Sequence, residues 1–124
     1  NQYCYRAQCY ATTRLLAQKM QLGENDYTTC FQSRLGKTPW IKPYTDEVLV
    51  ELAQKGVKRL QVACPAFVAD CLETLEEIGK EGNAIFLEQG GQEFTRVPCL
   101  NEDPNWVKTI HALIKDDTKH LKLQ

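Results

Sequence analysis

The hydrophobic pattern of this chain switches repeatedly between a helical and a strand period, and that alternation sets the fold class. Ala7, Ala11, Leu15, Leu16 and Met20 recur at helical spacing, with Gly23 as a stop. Tyr27 to Ser33 is rich in aromatic and β-branched residues and reads as a strand. After a loop containing Gly36, Pro39 and Pro43, Thr45 caps a helix with Val48, Leu49 and Leu52 as its stripe and Gly56 as its end. Leu60 to Cys64 is a second strand, and Asp70 to about Gly90 is helical, with Gly79 and Gly82 placed to bend or split it. Phe94 to Val97 is a third strand. Asp103-Pro104 opens a last helix with Trp106, Val107, Ile110, Leu113 and Ile114 on its core face. Strands separated by helices predict an α/β domain with a parallel sheet, right-handed crossovers and helices on both faces. The whole of 1–124 reads as this one domain, with 116–124 as a tail.

Composition narrows the function classes. Fifteen Lys and Arg against sixteen Asp and Glu leave a net charge of −1, which gives no footprint for nucleic acid or a polybasic membrane patch. No apolar run approaches the roughly 20 residues of a membrane span. Asn1-Gln2-Tyr3-Cys4 does not read as a signal peptide. Of the six cysteines, Cys30, Cys64 and Cys99 sit in or beside apolar segments, where a reduced thiol acts as a small hydrophobe. A reduced, cytoplasmic setting follows as the expectation.

Ligands of open α/β sheets bind beyond the carboxyl ends of strands. Three loops qualify here: Gln32 to Pro43, Pro65 to Asp70, and Pro98 to Pro104. At 100° per residue, Asp70, Glu73 and Glu77 share one face of the helix after the second strand, with Cys71, Leu72, Leu75 and Ile78 on the other. Such a strip is either a solvated acidic face near a helix N-terminus or a place to bind a divalent metal and take protons. Spacing does not decide between these. In the first loop Arg34 and Lys37 could pair with an anion, and Phe31 or Trp40 could stack on a flat ligand; an ordinary basic loop is the alternative. His111 reads as a flank histidine and His120 as a tail residue, and Gly90-Gly91 as a turn.

Phe31-Gln32-Ser33-Arg34 followed by Thr38-Pro39-Trp40-Ile41-Lys42-Pro43-Tyr44-Thr45-Asp46-Glu47 resembles a signature segment of ferrochelatases. Val62 to Ile78 (VACPAFVADCLETLEEI) resembles a second, and Tyr5 to Cys9 and Val97 to Asn101 resemble further family segments. The resemblance implies a three-layer, Rossmann-like chelatase fold and insertion of ferrous iron into protoporphyrin IX, a lyase reaction of haem biosynthesis. It implies that Glu73 is the catalytic and metal-handling glutamate, and that Phe31, Gln32, Ser33, Trp40, Asp70 and Glu77 lie along the substrate. It also implies a helix widened toward π geometry around Glu73. Iron is then a substrate, and no further cofactor is expected.

The family's catalytic histidine, first strand of this sheet and N-terminal domain have no counterpart in these residues. The expectation is therefore a C-terminal part, inactive alone, that partners with a missing N-terminal domain or self-associates through unpaired strand edges. The six cysteines do not match the cluster-binding extension of some family members, so no iron–sulfur cluster is expected. The alternatives are a related chelatase acting on another metal or tetrapyrrole, and a non-enzymatic α/β module that binds a metal or tetrapyrrole.

Overall fold

A computed structural model of the chain describes residues 3–32 and 39–118. Helix α1 (Tyr5–Lys19) leads through a short 3₁₀ turn (Glu24–Asp26) and an extended segment to helix α2 (Thr45–Gln54). Strand β1 (Arg59–Val62) follows, then a π-helix (Glu73–Gly82) that runs directly into helix α3 (Asn83–Glu88). Strand β2 (Glu93–Arg96) and helix α4 (Pro104–Thr118) complete the order.

β1 and β2 pair in parallel, Arg59 opposite Glu93 and Val62 opposite Arg96, with the π-helix and α3 as their crossover. That is the expected βαβ logic: parallel neighbours need a long connection. The first strand expected, over 27–33, does not join them among the described residues. Phe31 instead forms an isolated parallel bridge with Tyr44, its N–H donating to the Pro43 carbonyl and its carbonyl accepting from Thr45 N–H. The sheet therefore has two strands among the described residues, where three were expected.

Burial alternates along both strands. Leu60, Val62, Phe94 and Arg96 are half-buried, whereas Arg59, Gln61, Glu93 and Thr95 are exposed. On the exposed face Arg59 and Glu93 meet at 2.9 Å. So one face carries the helical layer and the other is uncovered among the described residues, where a sheet covered on both sides was expected. α4 explains part of that difference. Its expected core face buries no residue fully: Trp106 and Ile110 are half-buried, and Val107, Leu113 and Ile114 are more than half exposed.

The core lies between α2, the π-helix, α3 and the sheet. Val48, Leu49 and Ala53 of α2 are buried there together with Ile78 and the fully buried Phe86, whose ring lies 6.2 Å from that of Phe94. Gly82 lets this layer close, since a Cβ there would stand 3.3 Å from Leu49 Cδ1 and 3.4 Å from Phe94 Cζ. Gly56 and Gly90 end α2 and α3 with φ of 98° and 113°, conformations that favour glycine.

Several boundaries differ from expectation. α1 stops at Lys19 and turns through Gln21 in a left-handed conformation, while Gly23 opens the next turn. Tyr44, not Thr45, takes the cap position of α2, and Thr45 is buried with its hydroxyl 3.4 Å from Cys30 Sγ. α4 starts as expected: Asp103 Oδ1 accepts from Asn105 N–H at 2.9 Å beside Pro104.

Candidate active site

Phe31, Gln32, Tyr44, Asp46, Glu77 and Glu81 are among the residues that line a cleft of about 240 Å³. The bridge to Tyr44 carries Phe31 and Gln32 to the cleft, and the π-helix supplies the carboxylates. Gln32 Nε2 donates to Glu77 Oε2 at 2.8 Å. The Phe31 ring packs on Tyr10 with centroids 5.9 Å apart and planes inclined at 60°.

π geometry determines which side chains face where. Its i→i+5 hydrogen bonds widen the turn beyond four residues, so positions four apart follow one another along one side. Thr74, Ile78 and Gly82 form the buried line. Glu73, Glu77 and Glu81 form the line beside it. Glu73 is half-buried, one turn before Glu77, and does not line the cleft. The apolar face read at 100° per residue needs correction: Leu72 is 73% and Leu75 46% exposed, and only Ile78 of that set is buried.

Asp70 lies before the helix rather than on its acidic face. Its Oδ1 receives Arg96 Nη1 at 2.7 Å and the Thr74 hydroxyl at 2.9 Å. Its Oδ2 receives Asn101 Nδ2 at 2.9 Å and Cys99 N–H at 3.2 Å, and its own N–H donates to Asn101 Oδ1 at 2.8 Å. The bond from Asn101, aided by those from Thr74 and Cys99, holds this carboxyl well below the usual range against the opposing effect of burial. Nearby, burial pushes the Cys64 thiol up to about 11, with Cys99 adding to the shift and Arg96 opposing it. All six cysteines are free thiols.

The structure thus brings Phe31, Gln32 and Glu77 into one cleft, sets Glu73 beside it and gives Asp70 to a separate network. Trp40 is 39% exposed and outside the cleft lining; its backbone N–H lies 3.5 Å from the Tyr44 hydroxyl. Ser33, Arg34, Lys37 and His120 lie outside the described residues, and His111 is exposed. Asp46, Tyr44 and Glu81 were missed by sequence reasoning. The repeat of glutamate every four residues from Glu73 was the available signal for Glu81, hidden behind the bend expected at Gly79. Among the described residues, no group of three or more His, Cys, Asp or Glu side chains is arranged to hold a metal ion. None of the helices described is long and apolar enough to cross a membrane.

The family model described as ferrochelatase matches residues 1–118. A ferrochelatase of Legionella pneumophila (strain Corby) is 59% identical over 116 residues, which cover 94% of this chain and 35% of that protein. Ferrochelatases of Pseudomonas fluorescens (strain Pf-5) and Pseudomonas syringae pv. syringae are 56% and 54% identical over 110 residues, covering 89% of this chain and 32% of theirs. The chain therefore spans about a third of the length of these curated relatives.

Proposed function

Because this chain belongs to the ferrochelatase family, we propose that it forms the C-terminal part of an enzyme that inserts Fe²⁺ into protoporphyrin IX in haem biosynthesis. The observation that carries this reading is the line of Glu73, Glu77 and Glu81 on a π-helix bordering a cleft walled by Phe31. Iron and the porphyrin are substrates in this reading, no resident cofactor is involved, and the reaction takes place in the cytoplasm.

The chemistry needs two things from the protein. Fe²⁺ must exchange water ligands for oxygen donors on its way to the ring, which carboxylates at Glu73 and Glu77 can supply. Two pyrrole N–H groups must each lose a proton as Fe²⁺ bonds to all four ring nitrogens, two through the lone pairs so freed and two through lone pairs already present. A half-buried carboxylate facing the ring can take a proton and pass it to solvent. Glu73 has the role of proton acceptor and metal handler, and Glu77, oriented by Gln32, that of the next carboxylate along the helix. The Phe31 ring offers an apolar wall to a flat macrocycle. Phe31, Gln32, Ser33 and Trp40 are assigned to the porphyrin side. Asp70 acts from behind the site.

The remaining two thirds of the relatives' length supplies the opposing wall of the cleft, so the chain alone is inactive. Self-association through unpaired strand edges is the other arrangement open to this part of the protein. The test is anaerobic iron insertion by the full-length polypeptide, followed by loss of porphyrin fluorescence. Protoporphyrin should be metallated faster than coproporphyrin or sirohydrochlorin. Metallation of sirohydrochlorin alone would transfer the assignment to a related chelatase, and no metallation of any of them would leave a binding module.

A further inference from the structure

The loops that follow β1 and β2 are tied together through Asp70. Asp70 and Asn101 exchange hydrogen bonds in both directions, and Asn101 N–H also donates to the Val68 carbonyl at 2.8 Å. Asn101 adopts φ of 50°, a left-handed conformation that asparagine tolerates better than most residues. Its side-chain amide reaches Asp70 because the backbone turns there. From Asp70 the network enters the π-helix through Thr74, which is fully buried. The Thr74 hydroxyl donates to Asp70 Oδ1 and accepts from Cys71 N–H at 3.0 Å. Arg96 touches the same helix a second time, since a Cβ on Gly79 would stand 3.4 Å from Arg96 Nε. The Asp70 and Arg96 side chains are only 14% and 18% exposed, so solvent screens their 2.7 Å ion pair less than a surface pair.

We propose that the Asn101–Asp70–Thr74 network, braced by Arg96, is a positioning device that fixes the first turn of the π-helix and thereby aims Glu73. This rests on the assignment of Glu73 to iron insertion made above. Glu73 follows the segment held by Asp70 and precedes Thr74 directly, so any slack in the network is transmitted to its Cα. A π-helix gives this coupling unusual value. Its widened turn is a rare alternative to the α-helix, and here the first turn is fastened to a loop from the neighbouring strand. Asp70, Thr74 and Asn101 are positioning residues in this scheme and touch no substrate.

The experiment compares Asn101→Gly, Thr74→Val and Thr74→Ser in the full-length polypeptide. Asn101→Gly keeps the left-handed backbone and removes only an exposed side chain, so folding is preserved. It should lower kcat by about tenfold or more, with KM for iron and porphyrin changed by less than about twofold, as expected for misplacement. Amide hydrogen exchange over 71–77 should speed up, while that of α2 stays unchanged. Thr74→Ser retains the hydroxyl and should keep kcat within about threefold, whereas Thr74→Val should behave like Asn101→Gly. Wild-type kcat and wild-type exchange in Asn101→Gly would overturn the proposal, whether or not Thr74→Val folds. Equal losses in both Thr74 variants would also overturn it, by showing that packing rather than the hydroxyl matters. If the wild-type protein inserts no iron, the functional assignment falls, and the exchange contrast still decides whether the network holds the helix.

Discussion

The Gln32 side-chain amide donates to the Glu77 carboxylate at 2.8 Å across 45 positions of sequence. This contact joins the segment before α2 to the π-helix at the cleft. Because the acceptor is a partly buried carboxylate, the bond should contribute about 1–2 kcal/mol. A double-mutant cycle of Gln32→Ala and Glu77→Ala, read by chemical denaturation, should return a coupling of about 1 kcal/mol. Additive effects would mean that the two side chains do not cooperate in the folded protein.

The corrected helix faces predict opposite outcomes for two neighbouring apolar residues. Ile78→Ala removes a side chain that is 4% exposed and should cost about 2–5 kcal/mol. Leu75→Ala trims one that is 46% exposed and should cost less than about 1 kcal/mol. Urea denaturation of the two variants checks the order, and an equal loss would restore the face read from a regular α-helix.

Asp70 predicts an acid-sensitive stability. Its folded-state pKa is depressed, chiefly by the bond from Asn101. A depressed carboxyl contributes stability that is fully present above its unfolded pKa, near 4, and is lost as pH falls towards the folded value. Between neutrality and pH about 5 the contribution should be constant, and below about pH 4 the Tm should fall. In Asp70→Asn that fall should be shallower, and Tm at neutral pH should be lower. Parallel Tm–pH curves for the two proteins would count against this network.

Thiol reactivity should follow environment. Cys64 is pushed up to about 11, first by burial, so little thiolate exists near pH 8. Iodoacetamide labelling followed by mass spectrometry should find the exposed Cys4 modified well before Cys64. Simultaneous labelling of the two in the native protein would show that the end of β1 is open to solvent.

Particular residues show how far the sequence was readable. The alternation of periods was enough for the α/β class, the parallel β1–β2 pair and the stripe of Val48 and Leu49, because each is a local pattern confirmed by packing. Glu73 and Glu77 were legible as a pair on one helix line. Asp70 was placed on that helix because a carboxylate before LETL continues the same spacing; the helix begins later because Asp70 is held by Asn101, a partner 31 positions away. Leu72 and Leu75 were assigned inward because side-chain spacing does not report a backbone shift from i→i+4 to i→i+5 bonding. The exposed Val107, Leu113 and Ile114 carry an amphipathic signal, and periodicity cannot say which surface such a face meets.

The claim on which the functional account turns is that Glu73 takes part in iron insertion while Glu76, on the solvent side of the same helix, does not. Glu76 is the internal control, paired with Lys80 at 3.0 Å on the solvent side. The direct measurement is kcat for iron insertion by the full-length polypeptide carrying Glu73→Gln or Glu76→Gln, with Tm recorded for both. Glu73→Gln should lower kcat by about 100-fold or more at nearly unchanged Tm, and Glu76→Gln should stay within about twofold of wild type. A Glu73→Gln protein that turns over at the wild-type rate would contradict the account.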